Sequence, residues 1–239
     1  LTLLSALNEA QRELSLPVTS TIIADGQETQ NLLYRLANKA AREVVNSRPE
    51  YRLPALEREH TFTTTTGATL QASGKPSDLK RIIPGTFWNR TSDKKVAGPI
   101  DQEEWSIANG VPITTNCTQY VMLRYDGLHI WPAPTVAETI AYEYRSTKPV
   151  LAVDGTTYKE SFSVDTDSYV LGDELLTLDV VWRYKREKGR DYAESLKDFE
   201  LALMTTASAT SGSRRAYLAQ TDSDGMGIGL IPETGFTGA

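Results

Sequence analysis

The sequence predicts an α+β fold: a four-helix bundle with a mostly β insertion between its second and third helices and an extended C-terminal arm. Three observations predict it. Apolar residues recur at helical spacing in two stretches near each end of the chain. The stretch between them is Thr-rich at its start, alternates in polarity and carries turn dipeptides. The final stretch, GMGIGLIPETGFTGA, sets apolar side chains among Gly and Pro, which suits neither a helix nor a solvated disordered tail. The expected division is a helical part over 1–50 and 166–211, a β-rich lobe over 51–165 and an arm over 212–239.

The first helix is expected over 2–16, where Leu3, Leu7, Ala10 and Leu14 form one stripe and Pro17 ends it. The second is expected over 26–47, with Asp25 and Glu28 in a capping-box spacing and Leu33, Leu36, Ala37, Ala40, Ala41 and Val44 facing inward. EREHTFTTTTGATLQAS, residues 57–73, reads as a hairpin turning at Gly67. Residues 101–105 read as a short capped helical turn. Strands are expected at 118–125, 128–132 and 138–145, the first two joined at Asp126-Gly127, and a last one at 158–164 closes the sheet. A helical hairpin follows, over 170–188 and 191–208, broken at Gly189. Its core is assigned to Leu175, Leu178 and Trp182 on one helix and Tyr192, Leu196 and Phe199 on the other. Asp191 and Glu194 repeat the capping-box spacing.

With 239 residues the chain can bury a substantial core, and its composition is ordinary for a globular protein. No apolar run approaches the ~18 to 20 residues of a membrane helix. Glu9, Arg12 and Glu13 come too early for a signal peptide. A net charge of −6 argues against gripping phosphate backbones over a wide surface, but not against letting DNA pass. The single cysteine, Cys117, excludes an internal disulfide.

Chemistry-bearing residues are sparse. His60 and His129 fall on expected strands, away from Cys117 and from any carboxylate pair, and are read as structural. Ser73-Gly74-Lys75-Pro76-Ser77 lacks the spacing of a phosphate-binding loop, since Thr69 and Pro76 stand where Gly and Ser/Thr are required. Asp165, Asp167, Asp173 and Glu174 form the densest carboxylate group. They fit a hard-cation site, or a polar turn followed by acids at a helix N-terminus; the second reading is preferred, because EF-hand spacing is absent. Lys185, Arg186, Lys188 and Arg190 read as a solvated face at a helix end. No catalytic constellation, metal site or cofactor motif is assigned.

Three segments carry a family resemblance: LTLLSALNEAQRELSLP at the start, RIIPGTFWNRTSDKKVAGPIDQEEW in the middle, and DELLTLDVVWRYKREKGRDYAESLKDFELAL near the end. Their order and spacing resemble the head-to-tail adaptor (connector) proteins of short-tailed bacteriophages, over almost the whole chain. The resemblance implies a structural virion protein of the neck. It would be a twelvefold ring beneath the portal protein, with the tail nozzle or tube attached below and double-stranded DNA passing through unbound. It implies no enzyme activity. It also implies that the C-terminal segment is an arm lying on the portal. Arg214 and Arg215 then reach carboxylates, Tyr217 and Leu218 give a first anchor, and Met226, Ile228, Leu230, Ile231 and Phe236 give the apolar contacts. Two other classes stay open: a tail-associated cell-wall hydrolase, and a glycan-binding module stacking sugars on Trp88, Trp105 and Trp131 of the β lobe, although those rings are also natural core residues.

Overall fold

The computed structural model describes residues 2–47, 53–110 and 119–210. Helices and antiparallel strands form an α+β fold. Helix α1 spans Leu3–Glu13 and α2 spans Glu28–Ser47. Strands β1 (Glu57–Thr63), β2 (Leu70–Gln71), β3 (Leu79–Ile82), β4 (Trp88–Asn89) and β5 (Lys94–Lys95) follow. Then come α3 (Gln102–Gly110), β6 (Tyr120–Leu123), β7 (Leu128–Trp131), β8 (Thr139–Ser146), β9 (Val150–Leu151), β10 (Tyr158–Lys159) and β11 (Ser168–Tyr169). Helices α4 (Asp173–Glu187) and α5 (Ala193–Thr210) close the described chain. No described helix is long and apolar enough to cross a membrane.

The four long helices lie close to their expected ranges, with local corrections at their ends. Thr2 and Ser5 make a reciprocal capping box on α1, and the helix stops at Glu13, where Ser15 takes φ 57, before Pro17 is reached. Helix α2 begins at Glu28 because Gly26, at φ 68, breaks the backbone just before it, so Asp25 lies outside the helix it was expected to cap. At α5 the helix begins at Ala193, and Asp191 Oδ1 accepts the Ala193 N–H at 3.1 Å rather than the Glu194 N–H that the expected box would use.

A four-helix bundle is not what these helices make. Among the described residues there are five α-helices, and α4 is the common partner of α1, α2 and α5. The cause lies in α4 itself. Nine of its residues are buried, namely Leu175, Leu176, Thr177, Asp179, Val180, Val181, Trp182, Arg183 and Tyr184, and they cover more than one face. A helix in a symmetric bundle buries one stripe, whereas α4 is enclosed. Its cluster also takes in Val150, Phe162, Tyr169 and Leu171 from the β9–β11 stretch. Phe162 is fixed to α2 from both sides: its N–H donates to Asn38 Oδ1 at 2.8 Å, and its carbonyl accepts from Tyr34 Oη at 2.7 Å.

The rest of the β region has its own core. Strands β1, β8, β4 and β5 lie in that order in one sheet, with β3 also on β8; β2, β7 and β6 form a second sheet. The alternation of β6 and β7 decides what faces what. Val121, Leu128 and Ile130 pack with Phe62, Ile140 and Tyr142 of the larger sheet and with Phe87 just before β4. Met122 and Trp131 point the other way, against Trp105 and Ala108 of α3. The expected 57–73 hairpin does not form: β1 pairs with β8, and β2 pairs with β7. Gln71 accounts for the detour, because its buried side-chain amide binds Thr65 N, Thr65 O and Ala68 O and folds the intervening turn on itself. The hairpin between β6 and β7 is present, with Arg124 and Gly127 exchanging backbone bonds around Tyr125-Asp126. The expected 158–164 strand shrinks to β10, which sits with β9 and β11 in a separate three-stranded sheet.

Candidate functional site

The most concentrated polar chemistry lies on α4. Trp182 is 7 % exposed, and its Nε1 donates to Asp179 Oδ1 at 2.8 Å. Arg183 binds the same carboxylate through Nε and reaches Glu43 Oε2 of α2 at 2.6 Å through Nη1. The guanidinium groups of Arg183 and Arg186 lie 4.5 Å and 4.8 Å from the indole centroid. Burial pushes the Asp179 carboxyl above its ordinary value, despite the Arg183 guanidinium and the indole N–H beside it. Asp179, Arg183 and Glu43 answer one another's charges, so the cluster ties α4 to α2. Of the expected hairpin core, Leu175, Trp182 and Phe199 are buried, and Leu178 and Leu196 are half-buried against it. Tyr192 is 38 % exposed and meets Trp182 only at a ring-centroid distance of 6.4 Å.

The four carboxylates near residue 170 do not converge. Among the described residues no group of three or more His, Cys, Asp or Glu could hold a metal ion. Asp165 accepts the N–H groups of Ile22 and Ile23 at 3.0 and 3.1 Å. Asp167, fully buried, accepts from Ser163 N at 2.7 Å, Val164 N at 3.1 Å and Lys159 Nζ at 2.8 Å. Their carbonyls take the Leu4 and Leu3 N–H groups, so this turn also caps the start of α1. Burial pushes the Asp167 carboxyl up, but the hydrogen bonds from Lys159, Ser163 and Val164 outweigh it and hold the group below its ordinary value. Asp173 and Glu174 occupy the first turn of α4, where the helix dipole favours anions. At the other end Lys185 Nζ binds Ser195 Oγ at 2.6 Å, while Arg186, Lys188 and Arg190 are exposed.

In the β region the two histidines are far apart in role. His60 Nε2 donates to the Ser73 carbonyl at 2.8 Å, and His129 Nε2 donates to the Asp126 carboxylate at 3.0 Å. Cys117 lies outside the described residues. Gly74 is needed for packing: a Cβ there would stand 3.0 Å from Leu128 Cβ and 3.2 Å from Phe62 Cε2. Asp78 is a buried acceptor for Tyr144 Oη at 3.0 Å, Ser146 Oγ at 2.5 Å and Arg58 Nη1 at 3.2 Å, an organising role that its sequence neighbours do not announce. Trp105 and Trp131 are 6 % and 9 % exposed, so neither offers a face for a sugar; Trp88, at 44 %, does.

The described surface also carries an exposed apolar face and a groove. Helix α5 packs on α4 alone among the helices with substantial contact, and its outer face carries Leu201 and Met204, 65 % and 53 % exposed. A groove of about 570 Å³ runs between α1 and the start of α4, lined by residues that include Ala6, Asn8, Glu13, Glu174 and Leu178. The arm residues Arg214, Arg215, Tyr217, Leu218, Met226, Ile228, Leu230, Ile231 and Phe236 lie outside the described residues.

No curated protein matches the chain. A family model does, described as SU10 adaptor protein, and it covers residues 1–227. The match runs through both helical ends and the whole β region, and it agrees with a molecule whose polar clusters join its own elements. This chain belongs to the SU10 adaptor protein family.

Proposed function

We propose that this phage adaptor protein is a subunit of a ring, twelvefold by the family resemblance, that joins the capsid portal to the tail nozzle or tube of a short-tailed virion. The genome passes through that ring during ejection without being specifically bound. The observation that carries the reading is the family match over residues 1–227. The net charge of −6 supports passage over binding, because a negative chain repels phosphate at long range. The exposed Leu201 and Met204 supply apolar surface for a neighbouring virion protein.

In this reading residues 212–239 are the portal-binding arm. Met226, Ile228 and Leu230 fall on one side of an extended chain, and the intervening glycines let a partner backbone approach. The test removes residues 222–239. The truncated protein should keep its helical signal and melting temperature and lose attachment to portal-bearing heads. Undiminished attachment would refute the arm, and a ringless neck in images of assembled particles would refute the ring.

A further inference from the structure

We infer that in the free chain the groove between α1 and α4 is occupied by the chain's own residues 214–218, Arg-Arg-Ala-Tyr-Leu. The inference concerns the isolated protein and is independent of whether the arm later reaches a portal.

The groove has an apolar floor, from Ala6 and Leu178, and an acidic rim. Arg12 is already paired with Glu9 at 2.6 Å. Glu13 and Glu174 are exposed and make no ion pair among the described residues. Glu13 is the last residue of α1, where the helix already carries partial negative charge, so an anion there is unfavourable until a cation joins it. The groove therefore fits a segment with one or two cations followed by apolar side chains.

The chain supplies such a segment at the right place. Helices α4 and α5 are antiparallel: Lys185 meets Ser195, and one turn down α4 Trp182 meets Phe199. The same stepping brings Ala207 to about the level of Glu174, so α5 ends beside the mouth of the groove. The four residues 211–214 can span about 14 Å when extended, enough to pass one helix width. The sequence beyond α5 is also polarised. Both of its cations, Arg214 and Arg215, come first, with Tyr217 and Leu218 directly after; Asp222, Asp224 and Glu233 follow. Only the proximal part complements an acidic rim.

The experiment uses the full chain with Cys117→Ser, adding Asn8→Cys in the groove and Ala216→Cys in the segment. Mild oxidation should give an intrachain disulfide, seen as a faster-migrating monomer on a non-reducing gel. Adding Glu13→Arg and Glu174→Arg should lower its yield several-fold, and further adding Arg214→Glu and Arg215→Glu should restore it. A disulfide between two chains would replace this occupant with a second copy and overturn the inference. So would no disulfide, a yield indifferent to the charge reversals, or an equal yield when Lys95→Cys replaces Asn8→Cys.

Discussion

Replacing Trp182 with alanine tests the enclosed α4. The side chain is 7 % exposed, so truncation returns little area to water and leaves a cavity among Phe199, Arg183 and Arg186. A buried Trp→Ala change costs ~3 to 5 kcal/mol. The indole N–H to Asp179 is lost as well, but Arg183 still answers that carboxylate, so the extra cost stays near ~1 kcal/mol. Trp182→Phe keeps most of the ring and loses the donor, and should cost roughly half as much. Tyr192→Ala is the internal control: at 38 % exposure it should cost under ~1 kcal/mol, although the sequence puts both aromatics on the same hairpin core. Urea unfolding followed by far-ultraviolet circular dichroism measures all three. A Trp182→Ala cost below ~1 kcal/mol, or a Tyr192→Ala cost equal to it, would refute an enclosed α4 centred on the indole.

Asp167 and Asp78 are both held below the ordinary carboxylate value of 3.8, so each favours the folded state above that pH and withdraws its contribution as pH falls through its folded value. Stability measured by thermal melts should therefore drop below about pH 4, and Asp167→Asn should be less stable at pH 7 and show a shallower acid slope. Gly74→Ala should destabilise by ~1 to 3 kcal/mol in the same urea assay, because the added methyl meets Leu128 Cβ at 3.0 Å. The isolated protein should show no strong binding to duplex DNA in fluorescence anisotropy; nanomolar binding that weakens steeply with salt would contradict passage without holding.

How much of this was legible depended on the range of the interactions involved. Helices α1, α2, α4 and α5 announce themselves because their apolar periodicity is local, and the β6–β7 hairpin because its turn residues are local. The enclosure of α4 was hidden by Asp179 and Arg183, polar residues on what reads as an outer face, which are buried because each answers the other and Glu43 answers Arg183. The false 57–73 hairpin arose because Thr-rich alternation gives a strand without naming its partner; β8, some eighty residues away in sequence, takes that role. Asp165 and Asp167 read as a possible cation site because their short spacing looks like ligation. In fact the Asp165 carboxylate is filled by the N–H groups of Ile22 and Ile23, which only the folded chain brings near, and the Asp167 carboxylate by Ser163 N, Val164 N and Lys159 Nζ.

If residues 212–239 are a portal-binding arm as proposed, an adaptor that assembles on demand has reason to keep each individual contact weak, and the composition of that segment fits the requirement. Each buried aliphatic anchor among Met226, Ile228 and Leu230 could contribute ~1.5 to 3 kcal/mol. Fixing a Gly-rich backbone costs ~1 to 2 kcal/mol per residue, which offsets most of that gain over the same stretch. A lone subunit would then hold a portal loosely and exchange. In a ring, the first arm bound raises the effective concentration of its neighbours, so avidity can exceed single-arm affinity by ~10² to 10⁴ without any new contact. A stiffer arm, with Gly227 and Gly229 replaced by alanine, would lower the ordering cost and strengthen single-subunit capture, at the risk of trapping subunits before the ring is complete.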